Sequence, residues 1–295
     1  MAENGVIYCP PFGVRRGILK INTNTNMVTE LDGNLLPQQG GGMWMSCAAA
    51  LDGCIYCMPL NANRIMKLDP NNGDAMSSVG DDLGDKGVKY SGTVAGIDGF
   101  VYGIPWDSKR ILKYDLINDI TSFVEEETDE DFRSYRNGVF GRDGCFYAIA
   151  RDGRVLKIDT TNNVHCVVGN SIESKNDSIG WGDGILGIDG CIYWPPMGAT
   201  HIMKYDPHSN LSSLVGNNLG DDMDEWIGGW AAPDGIIYCL PHLVNRILAI
   251  DPSKEYILSL ENNMEQFPEQ LGCIFQPSDD IPEKQNLIEQ LLSLD

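Results

Sequence analysis

The sequence predicts an all-β fold, a six-bladed β-propeller of four-stranded antiparallel blades, and three observations predict it. Gly is abundant, 33 of 295 residues, roughly 11% against about 7% in average usage, so turns are many and strands short. A dipeptide ending in Gly, then apolar residues, then Tyr occurs six times, at Gly5, Gly53, Gly99, Gly144, Gly190 and Gly235. The intervals between these glycines are 48, 46, 45, 46 and 45 residues, the period of a propeller blade with four strands per unit.

Within each unit an apolar run leads to the Gly turn. The pair is Asn-Gly in the first unit and Asp-Gly in the other five, and Asp-Gly between apolar runs is the two-residue hairpin signal, because Gly tolerates the positive φ of a type I′ turn. A second apolar run ends near Pro. A third has the form Arg-Ile-Met-Lys-Leu-Asp, as at 64–69, and a short fourth follows, as at 75–79 or 212–215.

The first Gly turn falls at residue 5, which leaves the first unit no room for its own first strand. The run Leu271-Gly272-Cys273-Ile274-Phe275 after the sixth unit is expected to supply it. An unclosed array would leave sheet edges exposed. The propeller is therefore expected over 1–278. Beyond it, 279–295 carries Ile281, Leu287, Ile288, Leu291 and Leu292 at helical spacing, which predicts an amphipathic helical tail outside the ring.

The repeat Asp-Gly-x-Ile-Tyr…Pro…Arg-Ile-x-Lys-x-Asp resembles the blade motif of NHL-repeat proteins, gluconolactonase-like (SMP-30) enzymes and virginiamycin B lyase-like proteins, over about residues 1–276. The resemblance implies the fold. Such scaffolds serve binders, hydrolases and lyases alike, so activity has to come from the site. Neither the metal ligands of the gluconolactonase-like enzymes nor the catalytic His of the lyases has a matching position here.

Composition narrows the partners. Asp and Glu number 42 against 21 Lys and Arg, a formal net charge of −21, which argues against a nucleic-acid backbone and against an anionic membrane surface. No apolar run is long enough to span a bilayer. Nine Cys, an odd number without a dense framework, fit a reducing compartment, and a cytoplasmic monomer is expected.

In the predicted topology the loops between strands two and three and the links between blades gather at the end opposite the Asp-Gly turns. Nine residues before the repeat Gly stand Trp44, Tyr90, Tyr135, Trp181 and Trp226, around the mouth of the central channel. A feature common to nearly every blade has a plain alternative, blade-to-blade packing, and the same holds for the column Arg16, Arg64, Arg110, Arg154 and Arg246. Positions that break the symmetry are better candidates. One residue beyond the Pro column stand Phe12, Leu60, Trp106, Arg151, Met197 and His242, all different, as a tailored ligand wall would be. Ligand binding is therefore assigned to Trp44, Tyr90, Trp106, Tyr135, Trp181, Trp226 and His242.

No cofactor is expected, with one open alternative. Two residues after the aromatic column Asn137 and Asp183 could hold a divalent metal in the central channel, although two ligands fall short of what calcium takes. Cys54-x-x-Cys57 is a weak zinc signal, since residues three apart on a strand point to opposite faces, and most Cys read as small core residues. If the protein is an enzyme, His201 and His242 on the loop-bearing face are the candidate acid and base.

Thirteen of the 42 acids lie in 81–85, 125–131 and 221–225, all between the fourth strand of one blade and the first of the next. An acidic rim around aromatic residues suits a small cationic or polar ligand or a basic protein segment; charge kept only for solubility is the alternative. The leading functional expectation is thus a binding propeller. The alternatives are a lactone hydrolase or lyase with its site in the same funnel, and a structural subunit that uses blade edges and the tail.

Overall fold

Each unit of the repeat folds into one antiparallel sheet, and the computed structural model describes residues 5–10, 17–31, 42–84, 87–124, 134–136, 138–150, 152–170, 172, 180–219, 226–242, 244, 246–254 and 256–261. Blade one comprises β1 (Val6–Cys9), β2 (Ile18–Asn22) and β3 (Met27–Leu31); blade two β4 (Trp44–Ala49), β5 (Ile55–Pro59), β6 (Ile65–Asp69) and β7 (Ala75–Val79). Blade three comprises β8 (Tyr90–Ala95), β9 (Phe100–Pro105), β10 (Leu112–Asp115) and β11 (Ile120–Phe123); blade four β12 (Val139–Phe140), β13 (Phe146–Ile149), β14 (Val155–Asp159) and β15 (Val164–Val168). Blade five comprises β16 (Ile185–Leu186), β17 (Ile192–Trp194), β18 (Ile202–Asp206) and β19 (Leu211–Val215); blade six β20 (Trp226–Ala231), β21 (Ile237–Pro241), β22 (Arg246–Asp251) and β23 (Tyr256–Glu261).

Strands pair in chain order within every sheet, all antiparallel, and among the described residues there is no helix. The chain is a six-bladed β-propeller with blade one three-stranded as described. The expected closing strand at 271–275, the tail 279–295, Phe12, Arg16, Asn137, Arg151, Asp85 and the acidic stretches 125–131 and 221–225 lie outside the described residues.

The Asp-Gly turns differ from the two-residue hairpin that the sequence suggested. The Ala50 N–H donates to the Cys54 carbonyl at 2.9 Å and the Gly53 N–H to the Ala50 carbonyl at 3.0 Å, so the loop holds three residues, Leu51, Asp52 and Gly53. Gly53 alone of the three has positive φ, +78°. This is a type I turn completed by a left-handed Gly bulge, whereas a type I′ turn would need positive φ at Asp as well. The same pattern recurs at Gly141–Cys145, Gly187–Cys191 and Ala232–Ile236.

The Asp of this turn has a defined task. One carboxylate oxygen accepts the N–H two residues on, as from Cys54, Cys145, Cys191 and Ile236, and the other accepts the Tyr hydroxyl at 2.7 Å in Asp52–Tyr56 and Asp143–Tyr147 and 2.8 Å in Asp189–Tyr193. Lys67 and Lys157 on the third strand add ion pairs to the same oxygens at 3.3 and 3.0 Å, and each lies over its Tyr ring. The repeated Asp, Tyr and Lys are therefore one turn-locking unit.

Blades are joined by apolar clusters between consecutive sheets rather than by one central core. Blade one meets two through Tyr8, Ile18, Trp44 and Met66; two meets three through Tyr56, Ile65, Tyr90 and Tyr114. Three meets four through Tyr102, Ile104, Tyr135 and Leu156, and four meets five through Tyr147, Trp181, Trp194 and Met203. Five meets six through Tyr193, Ile202, Trp226 and Leu248. Polar groups join in: the turn between strands three and four places Asp74, Asp119, Asn163 and Asn210 at positive φ, and each reaches the preceding blade. Asp74 accepts the Tyr8 hydroxyl at 2.6 Å, Asp119 the Gly80 N–H at 3.0 Å, Asn163 the Lys113 ammonium at 2.6 Å and Asn210 the Gly169 N–H at 2.9 Å.

Candidate functional site

The first strands of neighbouring blades approach one another around the axis, β4 beside β8 and β16 beside β20, so residues that begin those strands ring the channel mouth on the loop-bearing face. Trp44, Tyr90, Tyr135, Trp181 and Trp226 stand there and are all buried, at 0–4% exposure. The indole N–H groups of Trp181 and Trp226 donate to the carbonyls of His201 and Arg246 at 3.0 Å, and that of Trp44 to Arg64 at 3.4 Å. Each of these three indoles thus pins the start of the third strand to the first strand of its own blade. The Tyr90 hydroxyl accepts from Ser108 at 3.1 Å. The rings serve blade packing.

The Arg column is spent similarly. Arg64 donates to the Gly80 carbonyl at 2.5 Å, Arg110 stacks on Phe123 at 3.9 Å, Arg154 pairs with Asp152 at 2.8 Å and Arg246 lies over Trp226 at 5.7 Å.

Among the described residues an aromatic and charged patch lies at the inner edges of blades three to five. Trp106, partly exposed, follows β9 and is anchored by its N–H to the Lys89 carbonyl at 2.8 Å. Over its ring, 4.9 Å from the centroid, lies the guanidinium of Arg136, a buried residue held by its N–H to the Ile149 carbonyl at 2.8 Å. Asp183 enters from blade five, its N–H bonded to the Ile227 carbonyl of blade six at 2.6 Å. A methyl built on Gly228 would meet the Asp183 Cβ at 3.3 Å, so the glycine makes room for this side chain.

Asp183 is enclosed by protein on nearly every side yet keeps a partly solvent-reached surface. Burial pushes its carboxyl up to about 6, and the nearby Arg136 charge acts in the opposite sense without overcoming it. A carboxylate raised by desolvation beside a specific charge, at a cleft, is a functional-site candidate on physical grounds.

The structure brings Trp106, Arg136 and Asp183 into one region, and Arg136 is the residue that sequence reasoning missed. A signal was available: the position after the aromatic column reads Met45, Ser91, Arg136, Gly182 and Ile227, a single charge among neutral residues. His201 and His242 sit on the loop-bearing face of blades five and six. His201 is partly buried with Nδ1 2.8 Å from the Thr200 hydroxyl, and His242 is exposed. Among the described residues no three His, Cys, Asp or Glu side chains converge as metal ligands; Asn137, the expected companion of Asp183, is not among them.

On the rim, Asp81 accepts the Thr121 hydroxyl, and Asp82 accepts the Asn63 amide at 3.1 Å and the Gly84 N–H at 2.8 Å. No helix among the described residues is long and apolar enough to cross a membrane.

Fold and site together define a six-bladed propeller with a small charged patch at its channel mouth. No protein-family model and no curated protein matches the chain by sequence. Solved structures do match by fold. A streptogramin B lyase superposes with a TM-score of 0.68 at 15% identity, over 88% of this chain and 80% of the other. A catalytically inactive virginiamycin B lyase from Staphylococcus aureus with quinupristin gives a TM-score of 0.66 at 14% identity, over 90% and 87%. A nidogen/laminin complex gives 0.55 at 11% identity, over 87% and 92%. At these identities the likeness is one of fold.

Proposed function

We propose that the protein is a binding propeller that takes a small cationic or polar ligand, or a basic protein segment, at the channel mouth between blades three and five. The supporting observation is Asp183, a carboxylate lifted to about 6 and seated against Gly228, where any side chain would press on it. Once ionised, it offers a poorly solvated anion whose best partner is an incoming cation. Trp106 supplies an aromatic face for the same group. Arg136, whose charge reaches Asp183, would meet the polar or anionic end of a zwitterion.

Calorimetry with spermidine, choline and an arginine-rich peptide against a neutral disaccharide tests this at low salt. One or more of the cations should bind saturably, weaken as salt is raised, and lose roughly tenfold or more affinity in Asp183→Asn. Binding of the disaccharide alone, or equal affinity in the variant, overturns the reading.

A second reading, a lyase-type enzyme, is favoured by the match to two lyases over 88% and 90% of this chain. A carboxyl near 6 is suited to abstracting a proton at neutral pH, with His201 and His242 on the same face. Incubation with quinupristin and other cyclic lactones, followed by chromatography for a ring-opened product, tests it, and metal analysis of the purified protein tests the channel metal. Turnover that Asp183→Asn abolishes supports this reading; no product from any lactone rejects it.

A further inference from the structure

Cys47 and Cys57 stand directly opposite each other on the antiparallel strands β4 and β5. The phase of the ladder fixes how near they are. Because the Ala50 N–H donates to the Cys54 carbonyl, the pairs 50/54 and 48/56 are the hydrogen-bonded ones, and 49/55 and 47/57 fall between them. At such non-bonded pairs the Cα atoms come to about 4.5 Å, inside the roughly 4.4–6.8 Å that a disulfide spans. The two thiols lie close enough to perturb one another. Cys47 Sγ also lies 3.5 Å from the Tyr8 carbonyl, across the seam between blades one and two.

The two thiols are unlike. Cys47 is half-buried, and Cys57 is buried in the cluster between blades one and two. Cys54, three residues from Cys57, points to the opposite face and belongs to the next cluster. Interaction with the Cys57 thiol holds the Cys47 thiol below its ordinary value, against burial, while burial and the same interaction push Cys57 up. That division gives one reachable nucleophilic sulfur and one sheltered partner.

We propose that Cys47 and Cys57 form a redox-active dithiol, a modification site at which a peroxide converts the pair to a cross-strand disulfide. The Cys47 thiolate attacks one oxygen of hydrogen peroxide; the O–O bond breaks, hydroxide leaves, and Cys47 becomes a sulfenic acid. Cys57 then attacks that sulfur, the S–S bond forms and the S–O bond breaks. The released hydroxide takes the Cys57 proton, and the oxygen displaced from Cys47 leaves as hydroxide that takes up the proton Cys47 gave to solvent on ionising, so both oxygens end as water. Two thiols are oxidised by two electrons, and one peroxide is reduced to two waters. A dithiol reductant reverses the step by exchange.

The test treats the full chain with hydrogen peroxide, blocks remaining thiols with an alkylating agent, and cuts at Asp52, which separates Cys47 from Cys54 and Cys57. A peptide pair joined through Cys47 and Cys57 is expected, with two of the nine thiols lost and both restored by dithiothreitol. In Cys57→Ser, Cys47 should accumulate as a sulfenic acid that dimedone traps. Cys47→Ser, which alters only the half-buried member, should leave Cys57 fully alkylatable after peroxide and so answers the question even if the first variant folds poorly. Recovery of both cysteines alkylated while exposed Cys166 is oxidised, or a Cys9–Cys47 link instead, overturns the proposal.

Discussion

On the Asp-Gly end of the propeller the same side chains recur from blade to blade, Asp under Tyr with Lys alongside, as in Asp52, Tyr56 and Lys67 or Asp143, Tyr147 and Lys157. On the loop end some positions depart from repetition, and Trp106, Arg136 and Asp183 each stand where no other blade carries the same residue. Both ends carry acids, but they are spent differently. The turn-end aspartates are neutralised by N–H groups, hydroxyls and lysines. Asp183 is enclosed with one cation nearby and is pushed toward neutrality. Repetition marks the scaffold, and departure from it marks the surface free to specialise.

The aromatic column of the loop end follows the scaffold rule, and breaking it has the largest expected effect. Trp226→Ala, at a fully buried ring with its N–H bonded, should cost about 3–5 kcal/mol, read by urea denaturation. Trp106→Ala, partly exposed, should cost well under half of that. Equal losses would erase the distinction between packing aromatics and the ligand wall.

Asp143→Ala strands the hydroxyl of the buried Tyr147 and should cost about 1–3 kcal/mol. The double variant with Tyr147→Phe should recover part of that loss, because the orphaned donor is gone.

Asp183 acts with the opposite sign. The Asp183 carboxyl is raised in the fold, so the stability it lends is complete below the unfolded value of about 3.9 and is lost as pH rises through about 6. Asp183→Asn should therefore stabilise the protein at pH 8 by roughly 1–2 kcal/mol, less than the about 3 kcal/mol of full burial because solvent reaches the group. The gain should vanish near pH 4, and thermal melts at the two pH values check it.

Asp52 and Asp143 behave conversely. Burial opposes their ionisation, but hydrogen bonds from Tyr56 and Lys67, and from Tyr147 and Lys157, outweigh it and hold both carboxyls below the usual value. A depressed carboxyl lends stability that is complete above about 3.9 and is lost as pH falls through the folded value. Acid titration should show that loss below about pH 4, and Asp52→Asn with Asp143→Asn should flatten it. The smallest effect is expected from Lys157→Met, about 0–1 kcal/mol for a partly exposed ion pair.

The spacing of Gly53, Gly99, Gly144, Gly190 and Gly235 made the blade count legible, since a fixed period leaves few architectures. The turn type was not legible, because Asp-Gly satisfies both a type I′ turn and a type I turn with a Gly bulge, and only the phase of the flanking pairs separates them. Trp181 and Trp226 could be placed at the channel mouth, but not their depth, because burial depends on the next blade. Arg136 was not legible as a site residue, because a lone Arg at the start of a strand is as readily a solvated side chain, and only the fold buries it against Trp106. Cys47 and Cys57 lie ten positions apart in the chain, so their pairing appears only once the strands are in register.

The left-handed turn residues Asp74, Asp119, Asn163 and Asn210 all reach backward, each to the blade before its own. The dependence runs in one direction along the chain. On a ribosome, where the N-terminal part emerges first, the Tyr8 hydroxyl and the Gly80 and Gly169 N–H groups stay hydrated until the following unit has been made. Each of blades one to four is finished by its successor, so a synthesis pause inside one of blades two to five leaves the previous one incomplete, and assembly acquires an order in time as well as in space.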